Sequence, residues 1–240
     1  MIGLMALVLP VVPGVVWMWI LYRTDIYEPE PPEKVLSTFL LGVASIVPAF
    51  GLERLAGLAY PFLEAIERAS FSTTASLAEA LPVALGCFLV IGPAEELAKF
   101  AAVRLYIFRD PEFDEPLDGI IYSSAAALGF ASLENVFYVV DFTGGLHIRW
   151  AALGVRTFLA LPGHVIFGAM WGYALGRRKF DPSYPVWSRV ALAAGLHGLY
   201  DFVLIYPPTR PLIVVFMAVM VPVVVRQIRD LREDSPFKQR

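Results

Sequence analysis

The chain is predicted to be all-α, a polytopic transmembrane helix bundle of about seven to eight helices. Three observations carry that prediction. Of the 240 residues, 58% are hydrophobic and only 17% charged, with a mean hydropathy of +0.64, well above the roughly 45–50% apolar content of an ordinary soluble domain. Apolar segments of about 20 residues, the length that crosses a hydrocarbon core, recur from end to end. Lys and Arg concentrate in alternate connections, as orientation in a membrane requires. A net charge of -3 without a block of like charge argues against nucleic acid as a partner and leaves the lipid bilayer as the surroundings.

Taken in order, the spans fall at about 2–22, 35–52, 81–106, 117–140, 150–176, 187–206 and 210–226. The first, MIGLMALVLPVVPGVVWMWILYR, lacks the basic start of a signal peptide and exceeds the length of its apolar region, so it reads as a retained membrane helix. EPEPPEK at 28–34, RDPEFDEP at 109–116 and RRKFDPSYP at 177–185 supply Pro-rich and charged connections. The longest connection, roughly 53–80, contains YPFLEAIERASF, which suits either an amphipathic interfacial helix or a solvated loop. Arg54, Arg68, Arg149 and Arg210 lie on one side, against a larger set that includes Arg177, Arg178, Lys179, Arg226, Arg229 and Arg232 on the other. The bias predicts an N-terminus outside and a C-terminus in the cytoplasm. No internal repeat stands out, so residues 1–240 are expected to form a single transmembrane domain. Cys87, the lone cysteine, sits in an apolar run and reads as a buried thiol.

Ionisable residues interrupt these spans: Glu95, Glu96 and Lys99 on the third, Glu134 on the fourth, Arg156 and His164 on the fifth, His197 and Asp201 on the sixth. A mid-helix Asp, Lys or Arg costs roughly 2.5–3.5 kcal/mol on insertion scales, so the set must pair, neutralise or meet water. Glu95, Glu96, His164 and His197 fall near mid-membrane, and Glu134, Arg156 and Asp201 in the outer half. Groups from four helices can therefore meet at a buried site lining a water-filled cavity. Lys99 is i,i+4 from Glu95 and i,i+3 from Glu96, so it reaches either carboxylate. The two glutamates point about 100° apart and cannot share one role. His197 and Asp201 are i,i+4, which lets the carboxylate orient the imidazole. Arg156 suits an ion pair with Glu134 or with Asp201. Gly168, Gly172 and Gly176 follow His164 at four-residue steps, a stripe that admits a close helix neighbour. His147 reads as a solvated loop residue, and Asp118 as a cap or turn.

Two histidines and a carboxylate are a familiar ligand set for catalytic zinc, with a further glutamate to take the proton of the metal's water. A metal-free alternative has a glutamate activate water while a histidine stabilises the oxyanion. A non-enzymatic alternative is a proton-coupled transporter or membrane binding protein using the same groups as a relay.

The ordered motifs EELAK (95–99), FDEPLDGIIY with GFASLENVFY (113–138), LPGHVIFG (161–168) and LHGLYDF (196–202) together resemble the motif series of the PrsW family of intramembrane proteases, related to the CAAX prenyl proteases. The resemblance covers about 90–205, the expected catalytic region. It implies a bacterial cytoplasmic-membrane metalloprotease cutting single-pass membrane proteins, such as an anti-sigma factor in stress signalling, near the extracytoplasmic face. It maps the paired glutamates to Glu95 and Glu96, the Glu-Asn motif to Glu134 and Asn135, and the histidine motifs to His164 and His197. One of Glu95 and Glu96 is then expected to activate water. His164, His197, Glu96 and Glu134 are the candidate zinc ligands, with Lys99, Asn135, Asp201 and Arg156 as their positioning partners.

Overall fold

A computed structural model describes residues 2–71, 76–141 and 146–238. Among them every regular element is helical: α1 (Ile2–Val8), α2 (Val12–Tyr22), α3 (Pro32–Ala59), α4 (Phe62–Phe71), α5 (Leu77–Gly86), α6 (Gly92–Tyr106), α7 (Asp118–Asp141), α8 (Leu146–Phe158), α9 (Ala160–Phe180), α10 (Trp187–Ile205) and α11 (Leu212–Glu233). Among the described residues seven segments are long and apolar enough to cross a membrane: Met5–Tyr22, Pro32–Ala59, Leu77–Tyr106, Asp118–Val140, His147–Phe180, Trp187–Ile205 and Leu212–Glu233. The protein is accordingly an integral membrane protein.

The sequence explains the breaks. Pro13 opens α2 and Pro32 opens α3, each in the first turn, where a missing N–H leaves no hydrogen bond unmade. α5 and α6 are one continuous run joined by a π-helical turn at Cys87–Ile91. The wider turn sits immediately before Pro93, whose ring cannot donate to the preceding turn, and it sets the rotation of the glutamates that follow.

Two expectations change here. The helix expected at 35–52 continues to Ala59, which brings Glu53 onto α3, and the connection beyond it contains α4. The apolar face of α4 is covered by protein: Phe62, Ala65 and Ala69 are buried, with Phe62 against Gly86 of α5. The span expected at 150–176 is two helices with a break at Leu159. Uninterrupted, the 34 residues of His147–Phe180 would extend about 51 Å, far beyond a core of about 30 Å. The break returns α8 against α7, where Arg156 meets Glu134.

The core is built around α7. The most apolar stretches of the spans that hold α7 and α9 are each 83% buried, against 22% in the first and last spans. Small residues permit this packing. A methyl at Gly42 of α3 would collide with the Ala126 carbonyl of α7, and one at Gly129 with the Phe39 carbonyl. The glycine stripe of α9 faces α7: Gly172 sits on Ser123 and Gly119, and Gly176 on Pro116. The stripe fixes the depth of α9 against α7, and so the position of His164 above it. Cys87 is buried and free.

Candidate active site

Four helices and the short α8 bring the polar residues of the spans into one network. Glu96 is completely buried and fully used. Its Oε1 accepts from Lys99 Nζ at 2.6 Å and from His197 Nδ1 at 2.9 Å, and its Oε2 from Trp171 Nε1 at 2.9 Å. Glu95 is held loosely: Oε2 lies 3.4 Å from Lys99 Nζ and 3.7 Å from His197 Nε2. Lys99 Nζ also approaches His164 Nδ1 at 3.2 Å and lies 4.5 Å from the centre of the Phe130 ring. His164 Nε2 is 3.0 Å from Glu134 Oε2, which receives Arg156 Nη2 at 2.8 Å. Arg156 Nε donates to Asn135 Oδ1 at 2.6 Å, and its guanidinium stands over Tyr138.

The hydrogen bonds assign the tautomers. An ammonium only donates, so His164 Nδ1, facing Lys99, is the acceptor and Nε2–H donates to Glu134. His197 gives Nδ1–H to Glu96, which turns Nε2 toward Glu95 and toward Asp201 Oδ2 at 3.5 Å. The Phe167 ring stacks on His197 with centroids 4.5 Å apart and 18° between planes, and the two imidazoles lie edge to face at 5.1 Å. Each ring is therefore held by a carboxylate and by aromatic packing, leaving one nitrogen toward the shared centre.

The structure differs from the sequence-based ligand set. The ligand atoms that converge, all within 4.8 Å of one another, belong to Glu95, His164 and His197. Glu96 is committed to three donors, and Glu134 to Arg156 and His164. The i,i+4 relation of His197 and Asp201 leaves 3.5 Å between them, so Glu96, not Asp201, makes the close contact that orients His197. Of the two pairings open to Arg156, the structure has the one with Glu134. Asn135 reaches the network through Arg156.

Two participants were not picked out from the sequence. Glu53 brings a buried Oε1, unpartnered among the described residues, within electrostatic reach of Glu95, Glu134 and Asp201. The signal for it was periodic: Ile46, Ala49 and Glu53 share one helical face. Trp171, two turns after His164 on α9, supplies the third donor to Glu96. Beside the centre, Glu134, Tyr138, Arg156, His164, Tyr200 and Asp201, together with apolar residues such as Val155 and Leu204, bound a cavity of about 100 Å³ between α7, α8, α9 and α10, large enough to admit water.

The donor set fits zinc by type, with two imidazoles and one carboxylate. The second nitrogen of each imidazole is tied to a further carboxylate, the arrangement that orients ligating histidines.

Comparison with known proteins agrees over most of the chain. The family described as "PrsW family intramembrane metalloprotease" matches residues 30–226. Protease PrsW of Geobacillus kaustophilus is 33% identical over 198 residues, 81% of this chain and 77% of that protein. Protease PrsW of Bacillus subtilis is 30% identical over 198 residues, covering 81% and 80%. Protease PrsW of Halalkalibacterium halodurans is 30% identical over 215 residues, covering 88% and 86%. No solved structure matches the chain. These relatives decide for a protease over a transporter or binding protein, and the chain belongs to the PrsW family of intramembrane proteases.

Proposed function

We propose that the reacting centre consists of Glu95, His164 and His197, and that it hydrolyses a peptide bond of a single-pass membrane protein near the extracytoplasmic face, with the N-terminus outside. The observation that carries this reading is the convergence of these three side chains within 4.8 Å beside a small cavity that Glu134, Arg156 and Asp201 help to line. The three would hold zinc. Zinc supplies a polarised carbonyl and a water of lowered pKa when bound. The chain's own residues do the rest. Glu96 fixes the tautomer of His197, Glu134 fixes that of His164, and Lys99 restrains the charge of the paired glutamates. Asp201 lines the cavity next to His197 and is the carboxylate free to take a proton from water. Tyr138, Arg156 and Tyr200 border the space where a carbonyl oxygen would gain charge, and their donors suit it. An anti-sigma factor is the substrate type that the family resemblance supports.

One observation favours a second reading on the same residues. The Lys99 ammonium lies against the imidazole nitrogen that zinc would use, 3.2 Å from His164 Nδ1. If the ammonium stays there, Glu95 itself takes the water proton and no metal is used.

Peptide N-terminal profiling of host membranes tests the proposal, comparing cells that make the wild type with cells that make Glu95→Gln at equal levels. New termini near the outer face of single-pass proteins, present only with wild type, are expected. Identical profiles at rest and under stress would overturn it.

A further inference from the structure

At the opposite end of α7 a second group of carboxylates is buried, with few counter-charges near it among the described residues. Asp25 and Glu30 come from the connection between α2 and α3, Glu115 from the connection before α7, and Asp118 from the first residue of α7. Asp25 is 4% exposed, Glu30 1%, and Glu115 and Asp118 are fully buried. Among the described residues, each keeps at least one oxygen without a donor in full hydrogen-bond geometry: both oxygens of Asp25, which has the Glu28 backbone and the Glu115 side chain close by, and Oε1 of Glu30, Oε1 of Glu115 and Oδ1 of Asp118. The remaining oxygens are positioned. Asp118 Oδ2 accepts the backbone N–H groups of Asp114 at 2.7 Å and Glu115 at 2.8 Å. Glu30 Oε2 accepts from Tyr122 at 2.5 Å, and Glu115 Oε2 accepts from Ser235. The bonded oxygens aim the free ones inward.

Four such carboxylates cannot all stay ionised in a dry interior without a counter-charge. Arg232 bears on Glu115 and donates to the Thr24 carbonyl, which leaves most of the negative charge unanswered. Ligand atoms of Asp25, Glu115 and Asp118 all lie within 4.8 Å of one another. Two oxygens on opposite sides of one calcium ion, each at about 2.4 Å, are about 4.8 Å apart, and magnesium would need them slightly closer. The donors are all oxygen, with no His or Cys among them, which suits a hard cation and not zinc.

We propose that Asp25, Glu115 and Asp118, with Glu30 beside them, bind a hard divalent cation, calcium or magnesium. The ion ties the α2–α3 connection to the start of α7 and, through Ser235 on Glu115, to the chain beyond α11. Asp118 and Glu134 are separated by about 24 Å along α7, so this centre is distinct from the reacting one. Its role is to lock the end of the central helix. The zinc reading is not needed for it.

The test uses the full chain in detergent micelles or nanodiscs, stripped with EDTA and then given calcium alone or magnesium alone. To keep the reacting centre out of the readout, the titration is repeated in Glu95→Gln/His197→Gln. The expected result is a rise of several degrees in unfolding temperature with one of the two ions, in wild type and in that variant. The rise should be absent in Asp25→Asn and in Asp25→Asn/Asp118→Asn. Those substitutions keep the side-chain shape and remove mutual repulsion, so the ion-free variants should be at least as stable as ion-free wild type. Metal analysis of wild type purified without chelator provides a second readout and should find stoichiometric calcium or magnesium. No shift with either ion together with no bound ion, or an equal shift in the Asp25 variants, would overturn the proposal and leave carboxyl pairs sharing protons.

Discussion

Glu95 and Glu96 are adjacent and chemically identical, yet replacing each by Gln should have different consequences. Glu96 Oε1 receives Lys99 and His197 while Oε2 receives Trp171. A Gln amide has one acceptor and one donor end. Either its NH2 faces Trp171 Nε1–H, or it faces both Lys99 and the imidazole N–H, and donors meet in a fully buried place. Lys99, also fully buried, keeps Glu95 at 3.4 Å as its nearest counter-charge among the described residues. Breaking a buried ion pair from one side costs about 3–5 kcal/mol. At Glu95 the contacts are 3.4 and 3.7 Å, so Gln can present its oxygen to Lys99 and its NH2 to the space beyond, at a cost of about 1 kcal/mol. The expected pattern is a folded, inactive Glu95→Gln and a markedly destabilised Glu96→Gln. Equilibrium unfolding in micelles gives the stability, and cleavage of a single-pass reporter substrate gives the activity. Equal stability losses, or full activity in Glu95→Gln, would refute the division of labour between the two glutamates.

Chelation of the purified enzyme should abolish cleavage of the same reporter, and zinc should restore it; cleavage that survives complete metal removal favours Glu95 acting on water with Lys99 in place. Gly172→Ala should destabilise by about 1–3 kcal/mol, because the methyl meets Ser123 and the Gly119 carbonyl, whereas Gly154→Ala, with nothing near it, should be neutral or stabilising by about 0.5–1 kcal/mol. Unfolding measurements on the two variants compare these directly. pH dependence follows from the carboxylates outside the membrane. Burial, and then the Glu115 charge, pushes Asp25 up to about 8, and burial pushes Glu30 up to about 7. Both values lie above the unfolded ones, so the folded state holds protons the unfolded chain has released. Without divalent cations, stability should therefore fall as pH rises from the ordinary carboxylate range toward about 8. Unfolding across that window reads the slope, and a rising or flat profile in EDTA would contradict it.

Much of the bundle was legible in the chain. Transfer of an apolar residue from water to lipid depends on that residue and its near neighbours, so hydropathy summed over about 20 positions locates a span without any knowledge of packing. The two errors of extent, at Ala59 and Leu159, arise where length alone misleads: a helix can outrun the hydrocarbon layer, and a long apolar run can hold two helices. The unusual presence of Glu95, Glu96, Glu134, His164, His197 and Asp201 within spans was also readable, because charge there is expensive.

Tertiary structure decided which partner each of those residues meets. Adjacent glutamates differ by rotation about one helix axis, and that rotation is set by the π-helical turn before Pro93 and by Trp171 arriving from α9. Glu53 enters because α3 continues, and Arg156 because the fifth span breaks. Asp25 and Asp118 lie almost a hundred positions apart, and no local pattern connects them. Their meeting depends on glycines that let α3 and α9 close on α7, since backbone-to-backbone approach decides which distant side chains share a space. The sequence by itself determined which residues bear the cost of burial; the packing of helices determined which partners relieve it and which oxygens remain free to act.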